Sequence, residues 1–157
     1  MKPTFVLLCA LVFVTSCGTA NAQEGPLAAT RVSPQPAGRA VTPDQVNGIY
    51  RNGGSEFRIL ALGHQKLKVQ FSGQWMTRWG YPNLGHAIGE ATIEGSVARF
   101  IPGDAPKCKI TLTFRSNRVE VTQEGTDADC GFGRNVMATG TYRRIKGGKP
   151  RFVPLTK

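Results

Sequence analysis

The residues best suited to contact chemistry in this 157-residue chain gather in one short stretch. Trp75, Arg78, Trp79 and Tyr81 fall within seven residues, beside Gly80 and Pro82, and both tryptophans of the protein are among them. Flat aromatic faces stack on sugar rings or anchor a protein partner, and an arginine among them can pair with a carboxylate. Two placements suit the segment Ser72 to His86. In one it is a loop at the rim of the domain and binds. In the other, Trp75 and Trp79 fold back and plug the domain's end, since large aromatics are mostly well buried.

Groups for catalysis are sparse. The two histidines, His64 and His86, fall at turns or loop ends, and neither has a Ser or Cys nucleophile in a recognisable setting. Glu90 and Glu94 lie on or near one strand, so a hydrolytic carboxylate pair would have to be assembled by long-range folding. Asp127 and Asp129 resemble the opening of a calcium loop, but its third ligand and closing Glu are missing. With Gly125, Gly131 and Gly133 they suit turn formation instead. Gly131-Phe132-Gly133 lacks the following helix whose amides would hold a phosphate. No enzymatic activity, cofactor or metal site is expected.

The N-terminus carries an address. Lys2, the apolar run Phe5 to Val14 and Ala20-Asn21-Ala22 have the layout of a secretory signal over residues 1–22. Val14-Thr15-Ser16-Cys17 competes as a bacterial lipobox, which would end the signal at residue 16 and make Cys17 a lipidated N-terminus. The apolar run is too short to span a bilayer, and no later stretch is long enough either. The expected location is therefore outside the cytoplasm: periplasmic, secreted, or anchored through Cys17. Export leaves Cys108 and Cys130 in the folded domain, and an oxidising compartment favours one disulfide between them.

Charge divides the chain unevenly. Residues 46–142 hold 11 basic and eight acidic side chains, whereas residues 143–157 hold Arg143, Arg144, Lys146, Lys149, Arg151 and Lys157 with no acid. A cationic tail over residues 145–157 suits an anionic surface, contacted by Arg143, Arg144, Lys146, Lys149 and Arg151. The plain alternative is a solvated terminus. Sequence-specific nucleic-acid binding is not expected, because no reading module is present and the basic residues are not interleaved with strand aromatics.

The elements that must position these residues have period two. Cys108, Ile110, Leu112 and Phe114 alternate with Lys109, Thr111 and Thr113, and after Ser116-Asn117 the valines 119 and 121 continue the alternation. Phe57–Ala61 with Leu67–Phe71, and Ala91–Glu94 with Ala98–Phe100, form two further hairpins. Short strands at Gly48 to Arg51 and Val136 to Arg143 bring the number to eight. Helix is confined to at most a turn near Pro43 to Val46. Residues 23–45, rich in Pro, Ala and Gly, are expected to be a flexible linker. Residues 46–144 are then an all-β domain: a small eight-stranded antiparallel up-and-down barrel, or alternatively a two-layer β-sandwich.

The run Cys108-Lys-Ile-Thr-Leu-Thr-Phe, Val119-Glu-Val-Thr-Gln, Cys130-Gly-Phe-Gly and Gly140-Thr-Tyr142 resembles a pattern shared by small exported bacterial β-proteins with a disulfide. More distantly, size, export and a disulfide-bonded barrel are similar to the periplasmic and membrane-bound inhibitors of c-type lysozyme. The domain's positive balance opposes a strongly basic target, because like-signed partners repel during encounter. The expected role is a non-catalytic cell-envelope protein that binds a glycan or protein through Trp75, Arg78, Trp79 and Tyr81. The alternative is an inhibitor or immunity protein of an envelope-acting enzyme such as a peptidoglycan hydrolase.

Overall fold

Alternating side chains become eight antiparallel strands in a computed structural model that describes residues 41–103 and 105–154. The signal segment, Cys17 and most of the expected linker lie outside the described residues. The strands are β1 (Gly48–Asn52), β2 (Ser55–Gly63), β3 (Lys66–Met76), β4 (Pro82–Glu94), β5 (Val97–Phe100), β6 (Lys109–Phe114), β7 (Arg118–Glu124) and β8 (Gly140–Gly147). Each pairs with the next, and β8 pairs back onto β1, which closes the sheet as an up-and-down barrel rather than a sandwich. Closure gives every strand a paired neighbour on both sides over at least part of its length.

The inward positions fill the interior with side chains. Phe57, Ile59, Leu67, Val69, Phe71, Phe100, Ile110, Leu112 and Val119 are essentially inaccessible to solvent. Strand β4 makes room for them with small residues at every second position: Gly85, Ala87, Gly89 and Ala91. A Cβ at Gly89 would stand 3.1 Å from the Phe100 ring. Such pairing of small with large residues lets a narrow barrel pack without voids.

Three connections lie at one pole and four at the other. At one pole the turns are tight, and both chain ends of the barrel meet there. Helix α1 (Pro43–Val46) closes this pole, with Pro43 in its first turn and Val46 buried. Its orphan carbonyls are taken up by neighbours: Tyr50 Oη donates to the Val46 carbonyl at 2.9 Å, and Arg144 Nη2 donates to those of Asp44 and Asn47 at 2.6 Å. The Val41 N–H donates to the Gly95 carbonyl at 3.2 Å. Residues 41–45, expected in the flexible linker, therefore belong to the folded unit.

At the other pole the 125–139 connection folds inward. Phe132, Val136 and Ala138 are buried, and the Phe132 ring lies 5.1 Å from that of Phe71. Cys108 and Cys130 are disulfide-bonded and pin this connection to the start of β6. The closing strand consequently begins at Gly140, not Val136: Val136 and Ala138 alternate like a strand but serve as a plug.

The basic tail also departs from expectation. Strand β8 continues through Gly147, after which the chain returns along the outside of β2 and β3. Gln70 donates through Nε2 to the Val153 carbonyl at 2.6 Å and accepts through Oε1 from the Val153 N–H at 3.0 Å. Arg58 Nη1 donates to the Arg151 carbonyl, and Lys68 Nζ lies 4.7 Å from the centroid of the Phe152 ring. The side-chain amide thus acts as a one-residue strand partner, and the described part of the tail is docked.

Candidate functional site

Strands β3 and β4 pair over eleven rungs, from Lys66↔Thr92 to Met76↔Pro82, and outgrow their neighbours. Strand β2 follows β3 only to the Glu56↔Ser72 rung, and β5 follows β4 only from Ala91 onward. The last four rungs, from Gly73↔Gly85, therefore project from the plugged pole as a two-stranded arm. Its tip, residues 77–81, is closed by the Thr77 N–H on the Tyr81 carbonyl and the Gly80 N–H on the Thr77 carbonyl, both 3.0 Å. Gly80 has φ +82°, a value that glycine adopts without strain.

The root of the arm is braced by the plugging connection. The Gly133 N–H donates to the Leu84 carbonyl and Asn83 Nδ2 to the Arg134 carbonyl, each at 2.8 Å. A Cβ on Gly133 would lie 2.7 Å from the Leu84 oxygen, so only glycine allows this approach. The braces order the arm without using its outer side chains.

Beyond the barrel a strand has no inner face, and the period-two pattern lapses. Trp75, Met76, Trp79, Tyr81 and Leu84 are 50–75% exposed. The Arg78 guanidinium lies 4.3 Å from the centroid of the Trp79 ring, a cation–π contact that steadies the indole. The structure thus brings together all four residues singled out for binding, Trp75, Arg78, Trp79 and Tyr81, and adds Met76 and Leu84. Plugging of the barrel by Trp75 and Trp79 does not occur; Phe132 does that work. Its signal was the Cys-Gly-Phe-Gly run, in which a lone aromatic sits beside a disulfide. Met76 and Leu84 gave no signal of their own, because an apolar residue on a strand reads as core until a neighbouring strand is known to be missing.

Among the described residues the acid–base candidates His86, Glu90 and Glu94 each have a separate local partner. Ser72 and His86 are cross-strand partners, with Oγ 3.4 Å from Nδ1 on the solvent side. That is longer than a working nucleophile–base hydrogen bond, and no carboxylate among the described residues orients the imidazole. Glu90 is paired with Lys66 at 3.1 Å and Glu94 lies 3.9 Å from Arg99. Asp127 accepts from the N–H groups of Ala128 and Asn135. Asp129 accepts from the Thr126 N–H and hydroxyl, which hold its carboxyl below the usual range. These aspartates build the turn beside the disulfide.

The cations separate into two groups. Arg143, Lys146, Lys149 and Arg151 are exposed on the outer surface, the last three beside Arg58, Pro150 and Ile49 in a cleft of about 300 Å³. Arg144 is different: it pairs with Tyr50 on β1, sits half-buried and holds the helix carbonyls. Its guanidinium is committed to the fold and is not part of an anion-contacting surface. Buried Tyr50, against this arginine, has its phenol pushed up to about 12 by desolvation, which the nearby positive charge partly offsets.

Comparison with protein families, characterised proteins and solved structures returned no match for this chain. Among the described residues no helix is long and apolar enough to cross a membrane.

Proposed function

We propose that this protein is a non-catalytic binding module of the cell envelope that engages a protein partner through the β3–β4 arm. The observation that carries the reading is the exposure of Trp75, Met76, Trp79, Tyr81 and Leu84 on an arm whose fold is secured from its root. Large apolar side chains clustered on a monomer's surface mark an interaction site, and tryptophan, tyrosine and arginine dominate binding hot spots. A protein partner is favoured over a glycan for two reasons. The arm projects past the neighbouring strands, which suits insertion into a cleft, and Met76 and Leu84 add dry area without offering a plane for a sugar to stack on. The inhibitor reading is one form of this role, in which the cleft is that of an envelope-acting enzyme.

Both tryptophans lie on the arm, so their fluorescence reports on it directly. In the free protein the emission should be red-shifted and open to acrylamide quenching. A partner isolated from the envelope should shift it to the blue and protect it. Trp75→Ala with Trp79→Ala should abolish capture of that partner while the melting temperature stays within a few degrees, given that exposed substitutions cost within about 0.5 kcal/mol each. Undiminished capture by this folded variant would refute the reading, and retention on a peptidoglycan or glycan column without any protein would redirect it to carbohydrate.

A further inference from the structure

Across the barrel from the arm, the outer face carries arginines in a row. Arg118 on β7 lies directly opposite Arg143 on β8, and Arg143 lies directly opposite Arg51 on β1. Neighbouring strands are about 4.8 Å apart. The Arg144 N–H donates to the Asn117 carbonyl at 3.0 Å, a bond that flanks the Arg118–Arg143 rung. The rung is therefore a non-hydrogen-bonded pair, the kind in which opposed side chains come closest. Like charges at such positions weaken a sheet unless something compensates them.

Two of the three are compensated within the chain. Glu120 accepts from Arg118 at 3.2 Å and from Arg115 at 3.4 Å, and Glu56 accepts from Arg51 at 2.7 Å and from Arg58 at 2.8 Å. Each carboxylate thus already serves two guanidinium groups. Among the described residues no acid reaches Arg143, the central member of the row. Beside it opens a cleft of about 540 Å³ lined by Asn117, Arg118, Glu120, Thr141 and Arg143.

We propose that Arg118 and Arg143, with Asn117 and Thr141 as neutral donors, form a seat for the tetrahedral oxyanion of a phosphoryl group. The bound anion supplies the third negative charge that the row lacks. A carboxylate presents only two oxygens in one plane, and Glu56 and Glu120 each spend both on two guanidinium groups, with none left for a further donor. A phosphoryl group has enough oxygens to bridge guanidinium groups on adjacent strands and still accept from an amide or hydroxyl. The seat lies on β7 and β8 and is independent of the β3–β4 arm.

The test is thermal unfolding and titration calorimetry of the purified protein with sodium phosphate against sodium acetate at matched ionic strength. Phosphate should raise the melting temperature saturably, and acetate should not. Arg143→Gln should melt no lower than the wild type in the absence of phosphate, because it relieves repulsion. It should also weaken phosphate binding about tenfold or more, the loss expected for a charge-assisted hydrogen-bonded contact. Lys149→Gln, outside the cleft, should leave phosphate binding unchanged. Equal responses to phosphate and acetate, or an undiminished phosphate response in Arg143→Gln, would overturn the proposal. Vesicles containing phosphatidylglycerol assign the source of the group. Retention that free phosphate competes away points to a lipid headgroup, and saturation by phosphate without vesicle retention points to a soluble phosphorylated ligand.

Discussion

Phe132→Ala should cost far more stability than removing either tryptophan. The Phe132 ring is only 7% exposed and tilts against Phe71 with centroids 5.1 Å apart. Its backbone is held on both sides, by the Cys108–Cys130 bond and by the Gly133 N–H on the Leu84 carbonyl. The walls therefore cannot close over the space left by the ring, and a truncation of this kind costs about 3–4 kcal/mol. At about 4 °C per kcal/mol, the melting temperature should fall by roughly 15 °C. Urea unfolding followed by circular dichroism measures the loss, and the native-state tryptophan emission serves as an internal control that should not move. A loss below about 1 kcal/mol, matched by that of Trp75→Ala, would refute the assignment of Phe132 as the plug and return the tryptophans to that role.

Replacing Cys108 and Cys130 together by serine should cost about 3 kcal/mol for a closed loop of this length. Because that bond holds the segment bearing Phe132, combining the change with Phe132→Ala should cost less than the sum, which a double-mutant cycle reads. Gln70→Ala removes both bonds to Val153, for a loss of about 2 kcal/mol. It should also speed tryptic cleavage after Arg151, and unchanged cleavage would count against a docked tail. At high pH the relevant phenols are those of Tyr50 and Tyr142, each pushed up to about 12 by burial. Their folded values exceed the unfolded one, so this stability is fully present below about pH 10 and is lost as pH rises toward 12. Urea midpoints measured between those limits should fall, and a flat profile would contradict the burial of the two rings.

The barrel was legible wherever alternation had two distinct faces to report. Lys107 to Arg115 and the valines 119 and 121 could hardly be anything but a hairpin with one buried side, and Pro43 to Val46 was marked as the only helical turn. Misreadings arose where alternation and sheet membership part company. Val136 and Ala138 alternate with exposed neighbours because they point into the barrel's mouth, and no strand is needed for that. Gln70 looked like any outward polar residue, since nothing in a side-chain amide says that it will pair with the backbone of residue 153. The tail's cations hid its docking for the same reason: backbone groups and one amide make the contact, and composition does not encode them. The four candidate residues were visible as types, but their exposure depended on β2 and β5 ending early, a difference in strand length that local sequence does not state.

Both ends of the barrel meet at the pole closed by α1, and the arm leaves from the opposite one. The part of β4 within the barrel, His86 to Glu94, spans roughly 30 Å along its length, so the barrel is a spacer between the two. Val41, where the described chain begins, lies at the pole opposite the aromatic tip. A bead, fusion or membrane tether placed there leaves residues 75–84 unobstructed, whereas the same attachment at residues 77–81 would mask them while leaving the fold intact.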